Sequence, residues 1–80
     1  KQLKRIWQIM YNDRYWLYKG YEVKIEFDVE PDNVKAFHYI TTPKGETHML
    51  KISPYDTEPA TVNKIIDDFV ENGLDISKVV

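Results

Sequence analysis

Residues 22–29 alternate without a break, with Val23, Ile25, Phe27 and Val29 on one side of an extended chain and Glu22, Lys24, Glu26 and Asp28 on the other. A period of two over this length is the signature of a strand with one face on a core and one face in water. Pro31-Asp32-Asn33 follows as turn chemistry, a second strand is expected over about 34–42, and Pro43-Lys44-Gly45 turns the chain again. A third strand is expected over about 46–53, ended by Pro54. Taking Pro31-Asp32-Asn33 as a three-residue loop sets Phe27 against Phe37 and Ile25 against Tyr39. Taking Lys44-Gly45 as a two-residue loop sets Tyr39 against Leu50 and Phe37 against Ile52. Both readings place the same apolar set on one face, which predicts a three-stranded antiparallel meander.

A second element is expected to cover that face. Val62, Ile65, Ile66, Phe69 and Val70 recur at helical spacing, with Asn63, Lys64, Asp67, Asp68 and Glu71 on the other side. Asp56 or Thr57 can cap the start, Pro59 is tolerated in a first turn, and Gly73 supplies a stop, predicting a helix over 57–72. Phe27, Phe37, Leu50, Ile52, Ile66 and Phe69 form the expected core, at about 1.5–3 kcal/mol for each buried side chain.

The first 20 residues admit two readings. Leu3, Ile6, Trp7 and Met10 match a helix, with Lys1, Lys4, Arg5 and Gln8 opposite. Trp7, Ile9 and Tyr11 also alternate, Asn12-Asp13 is turn-like, and Tyr15-Trp16-Leu17-Tyr18 has strand composition, so a hairpin with a fourth strand is the alternative. The fold expected from the whole chain is one α+β domain over residues 1–80, in the order α-β-β-β-α where the first segment is helical. That order resembles the double-stranded-RNA-binding domain. The resemblance implies phosphate contacts at the start of the second helix and in the first strand loop. Here those places read Asp56-Thr57-Glu58-Pro59 and Glu30-Pro31-Asp32-Asn33, which repel phosphate.

Composition narrows the chemistry. At 80 residues the chain buries only about 60% of its unfolded surface, and with no cysteine it has neither disulfide nor thiolate metal site to supplement the core. The expectation is a tight core or a second copy, without cofactor or metal. No apolar run approaches the roughly 20 residues of a membrane span, and Lys1-Gln2-Leu3-Lys4-Arg5 lacks a signal-peptide core, so a reducing cytoplasm and no membrane partner are expected.

Catalytic constellations are weak. In the expected register Glu26, His38 and Lys51 form a row across the open face. It reads as an acid–base pair or, better, as a solvated charge ladder, since no nucleophile stands beside it. Ser53 and Ser77 have no spacing that couples them to a histidine. Glu26, Asp28, Glu30 and Asp32 recur every second residue, too spread to share one hard cation.

The N-terminal segment carries the functional expectation. Residues 1–24 hold six Lys and Arg against two carboxylates, a net +4, while residues 25–80 carry a net −6. Within it Arg5, Trp7, Arg14, Tyr15, Trp16, Tyr18 and Lys19 combine cations with aromatic faces. Trp, Tyr and Arg are the residues richest in interface hot spots, so the first expectation is a non-catalytic interaction protein that contacts itself or another protein here. Cations beside aromatic faces also suit single-stranded nucleic acid, which is the second reading. An enzyme acting through Glu26 and His38 is the third.

Overall fold

A computed structural model describes residues 12–80. Among them, β1 (Arg14–Tyr18), β2 (Tyr21–Glu30), β3 (Asn33–Thr41) and β4 (Thr47–Met49) form an antiparallel sheet in that order, followed by α1 (Pro59–Asn72) and a short 3-10 turn (Ile76–Lys78). The class is α+β, with four strands and one C-terminal helix. Residues 14–18, which the helical alternative included, are strand. The expected helix over the earliest residues lies outside the described range, and with it the α-β-β-β-α order.

β1 and β2 meet across Lys19-Gly20, where both residues have positive φ (49° and 83°). Such a turn matches the twist of the strands it joins and closes a two-residue hairpin, pairing Tyr18 with Tyr21 and Trp16 with Val23. A Cβ on Gly20 would lie 3.3 Å from Pro43 Cγ, so both space and φ select glycine. Beyond the start of β1, Asp13 accepts the Phe27 N–H at 3.2 Å and so extends the pairing with a side chain.

Both expected loop lengths are corrected. Glu30 pairs with Asn33, leaving a two-residue loop of Pro31 and Asp32, neither with positive φ. Proline presets the negative φ of the first position of such a turn, and Asn33 is drawn into the strand. The register becomes Phe27 with Ala36 and Ile25 with His38, not Phe27 with Phe37 and Ile25 with Tyr39. At the second turn the Thr42 N–H donates to Glu46 O and the Gly45 N–H to Thr42 O, each at 2.8 Å. The loop is therefore the three residues Pro43-Lys44-Gly45, with Gly45 at φ 90° closing a bulged turn. Tyr39 pairs with Met49 and Ile40 with His48.

Because side chains alternate, each one-residue change reverses a strand. β3 turns Ala36, His38 and Ile40 inward and Phe37 and Tyr39 outward. The second change restores β4, so Leu50 stays on the inward side as expected, and His48, opposite Ile40, shares it. The row of Glu26, His38 and Lys51 does not form. Glu26 stands opposite Phe37, His38 is buried on the other face, and Lys51 follows β4 with its N–H bonded to Lys78 O at 2.8 Å.

The core is one cluster. Tyr21, Val23, Ile25 and Phe27 of β2 join Ala36, Ile40 and Leu50, and Val62, Ile66 and Phe69 of α1 close over them. Trp16, Tyr18, Val34, Ile52 and Ile65 pack partly buried at its margin. α1 starts two residues later than expected, after Glu58. Asp56 serves its entry by accepting the Glu58 N–H and the Thr61 hydroxyl, each at 2.9 Å. The Gly73 N–H donates to Phe69 O at the other end. The chain then returns to the sheet, where Val79 bridges to Leu50 and is buried.

This register makes a direct prediction. Ile40→Ala should destabilise the chain by about 2–5 kcal/mol, the cost of a core cavity. Phe37→Ala, on the opposite face of the same strand, should cost about 1 kcal/mol or less. Urea unfolding of the two variants checks it, and the order would be reversed in the register expected from the turns.

Candidate functional site

β1 is divided by its own alternation. Trp16 and Tyr18 point toward α1, whereas Tyr15 and Leu17 point away from it and are 68% and 73% exposed. The inward pair is fixed by polar contacts as well as packing. Trp16 Nε1–H donates to Asn63 Oδ1 and the Tyr18 hydroxyl to Asp67 Oδ1, both at 2.9 Å. Two residues of strand rise about 6.6 Å and four residues of helix about 6 Å, so a strand pair at i, i+2 matches a helix pair at i, i+4. Lys19, held in the turn, adds an ion pair to Asp67 at 2.6 Å.

These contacts shift three ionisations. The hydrogen bonds from Lys19 and then from Tyr18 hold the Asp67 carboxyl below its ordinary value. The same carboxylate, as hydrogen-bond partner, raises both the Lys19 ammonium and the Tyr18 phenol. All three shifts favour the arrangement found at neutral pH: anionic Asp67, cationic Lys19 and neutral Tyr18.

On the face away from α1, the register lines up Tyr15, Lys24, Tyr39 and Met49 across all four strands. Lys24 Nζ lies 5.9 Å from the centre of the Tyr15 ring and 6.0 Å from that of Tyr39, within reach of the cation–π attraction. Glu26 Oε2 holds the same ammonium at 2.8 Å and, as its hydrogen-bond partner, raises the Lys24 pKa. An open concavity of about 450 Å³ lies here, bounded by Tyr15, Glu22, Lys24, Tyr39 and Thr47 among others. The surface thus offers two aromatic rings, a neutralised cation and a neighbouring carboxylate, suited to shape and van der Waals contact more than to binding a strong anion.

His38 has a different task. It is only 1% exposed, and its Nε2 lies 2.7 Å from the Asp56 carbonyl oxygen. A carbonyl can only accept, so Nε2 carries the proton and the ring ties the sheet to the entry of α1. The adjoining Asp56 carboxyl is lowered by the Glu58 N–H, then by the Thr61 hydroxyl, with His38 contributing. Among the described residues His38 Nδ1 and His48 Nε2 have no hydrogen-bond partner. Glu26, on the opposite side of the sheet, cannot act with His38 as an acid–base pair.

The expected contact residues therefore separate. Arg5 and Trp7 lie outside the described residues. Trp16, Tyr18 and Lys19 are engaged with α1, and exposed Arg14 has its guanidinium carbon 5.8 Å from the centre of the Phe27 ring. Of the expected set, Tyr15 belongs to the outer face, where Leu17, Lys24 and Tyr39 join it. Those three were not singled out beforehand. The Lys19-Gly20 turn was the available signal, because counting back from a two-residue hairpin gives the face of every β1 side chain.

The shifts at Asp67, Lys19 and Tyr18 have worked signs. Asp67 is lowered, so its contribution is present above the unfolded carboxyl value of about 3.9 and is lost as the pH falls through the folded value. Lys19 and Tyr18 are raised, so theirs is present below about 10 and is lost as the pH rises through the folded values. Asp67→Asn should lower stability at pH 7 and make the loss of stability below pH ~4 shallower without abolishing it, because Asp56 and Asp75 are also lowered. Urea midpoints for both proteins between pH 2.5 and 7 check this.

No protein-family model, curated protein or solved structure matches the chain.

Proposed function

We propose that this chain is a non-catalytic interaction domain that contacts a protein partner through the outer side of β1 and the adjoining sheet face. The observation that carries the reading is the exposure of Tyr15 and Leu17, at 68% and 73%, on the strand that is outermost among the described residues. Large apolar side chains on an edge strand are the combination that natural sheets ordinarily avoid, because it invites pairing with another chain. Tyr39 and Lys24 continue the surface inward, so a partner can lie along the edge and rest on an aromatic floor. Glu22 and Glu26 flank that floor, and their carboxylates favour a protein surface over nucleic-acid phosphates.

A photoreactive phenylalanine analogue placed at position 15 or 17 of the full chain tests the site. Position 64, on the exposed side of α1, serves as the control. The expected result is an adduct specific to positions 15 and 17. The partner is identified by mass, and its complex is rebuilt from purified components. Leu17→Lys should weaken that complex at least tenfold, and Lys64→Ala should leave it unchanged. Equal labelling at all three positions, or a complex indifferent to Leu17→Lys, would overturn the proposal.

A further inference from the structure

The two edges of the sheet are treated differently. β4 is only three residues long, and the C-terminal segment runs beside it: Leu50 bridges to Val79, the Val80 N–H donates to Met49 O, and the Lys51 N–H donates to Lys78 O, the last two at 2.8 Å. Among the described residues β1 has β2 on one side and no strand on the other. Which of its main-chain groups face outward follows from the turn. A two-residue hairpin closes on a hydrogen-bonded pair, here Tyr18 with Tyr21, and bonded and non-bonded pairs then alternate. Trp16 and Arg14 therefore bond inward to β2. Tyr15 and Leu17 direct their N–H and C=O groups outward, and the same two residues carry the exposed side chains.

We infer that β1 pairs antiparallel with β1 of a second copy of this chain, about a twofold axis at Trp16. The inference rests on the contact surface proposed above and names its occupant. In this register Tyr15 of each copy faces Leu17 of the other. Both are outward-bonding positions, so the two pairs close four main-chain hydrogen bonds and bury two aromatic–aliphatic contacts on one face. Charge agrees with the direction. Asp13 precedes the strand and Lys19 follows it, and antiparallel pairing brings each beside the other twice. Parallel pairing would set Arg14 beside Arg14 and Lys19 beside Lys19. Sliding the register by two residues either way leaves only one of the two side-chain types paired with itself, and pairs the other with Asp13 or Lys19. The twofold also keeps both copies of α1 on one side, making a continuous eight-stranded sheet with an isologous contact.

Five residues from each chain bury less than the roughly 1,200 Å² of a standard interface, so the dimer is a weak one. Sedimentation of the full chain should show a monomer–dimer equilibrium with Kd between about 10 µM and 1 mM. Leu17→Lys should raise that Kd at least tenfold while leaving the urea midpoint unchanged, since Leu17 lies outside the core. Amide exchange on the unmodified chain reads the register directly. The Tyr15 and Leu17 amides should gain at least tenfold protection between dilute and millimolar protein, whereas those of Trp16 and Tyr18 should be protected at both.

A chain that stays monomeric to 1 mM, or a dimer whose Tyr15 and Leu17 amides exchange freely, overturns the pairing. If the monomer still gives a position-15 adduct with a different protein, only the identity of the partner is lost. If no position-specific adduct forms with any chain, the contact surface falls with it.

Discussion

The inward face of β2 is the surface on which the rest of the molecule is assembled. Val23, Ile25, Phe27 and Val29 are almost wholly removed from water, and α1 lies over the cluster through Val62, Ile66 and Phe69. β2 pairs with β1 on one side and β3 on the other, so its pleat dictates which residues of both neighbours point inward. Trp16 and Tyr18 reach α1 because they stand beside Val23 and Tyr21. His38 is buried because it stands beside Ile25. Tyr15 and Tyr39 share the outer face because both pair with Lys24.

The strict alternation of 22–29 and the helical spacing of 62–70 made the two main elements legible from sequence, because each follows a single period with a clear polar counterpart. The faces of β3 were not legible. Val34, Ala36 and Ile40 are apolar on one side of it, and Phe37 and Tyr39 on the other, so its pattern does not choose between them. The choice fell to the turns, whose residues say that the chain reverses but not after how many positions. Pro31-Asp32 reverses with negative φ, and Pro43-Lys44-Gly45 reverses with a bulge, each differing by one residue from the expected loop. The two differences cancel at β4. This is why Leu50 lies on the face where the sequence placed it and His38 does not.

The aromatic N-terminal segment looked like one functional unit because composition averages over position. Alternation divides it instead: within Arg14–Tyr18, neighbouring aromatic side chains serve opposite purposes. The partners that engage the inward ones, Asn63 and Asp67, are more than forty positions away and read in isolation as part of a solvated helix stripe. Only the tertiary match between strand and helix spacings turns that stripe into an acceptor row. No local feature of either segment announces it.

The same division bears on the proposed contact at β1, the outermost strand among the described residues. A strand must be held straight before another chain can add to it, and fixing a loose segment at the moment of contact costs about 1–2 kcal/mol per residue of backbone entropy. β1 is held by β2 through its inward main-chain groups and by α1 through Trp16 and Tyr18, on the face opposite Tyr15 and Leu17. Its ordering belongs to folding rather than to binding. Breaking the Tyr18–Asp67 hydrogen bond with Tyr18→Phe should therefore weaken the proposed contact at Tyr15 and Leu17 without altering a residue on that surface.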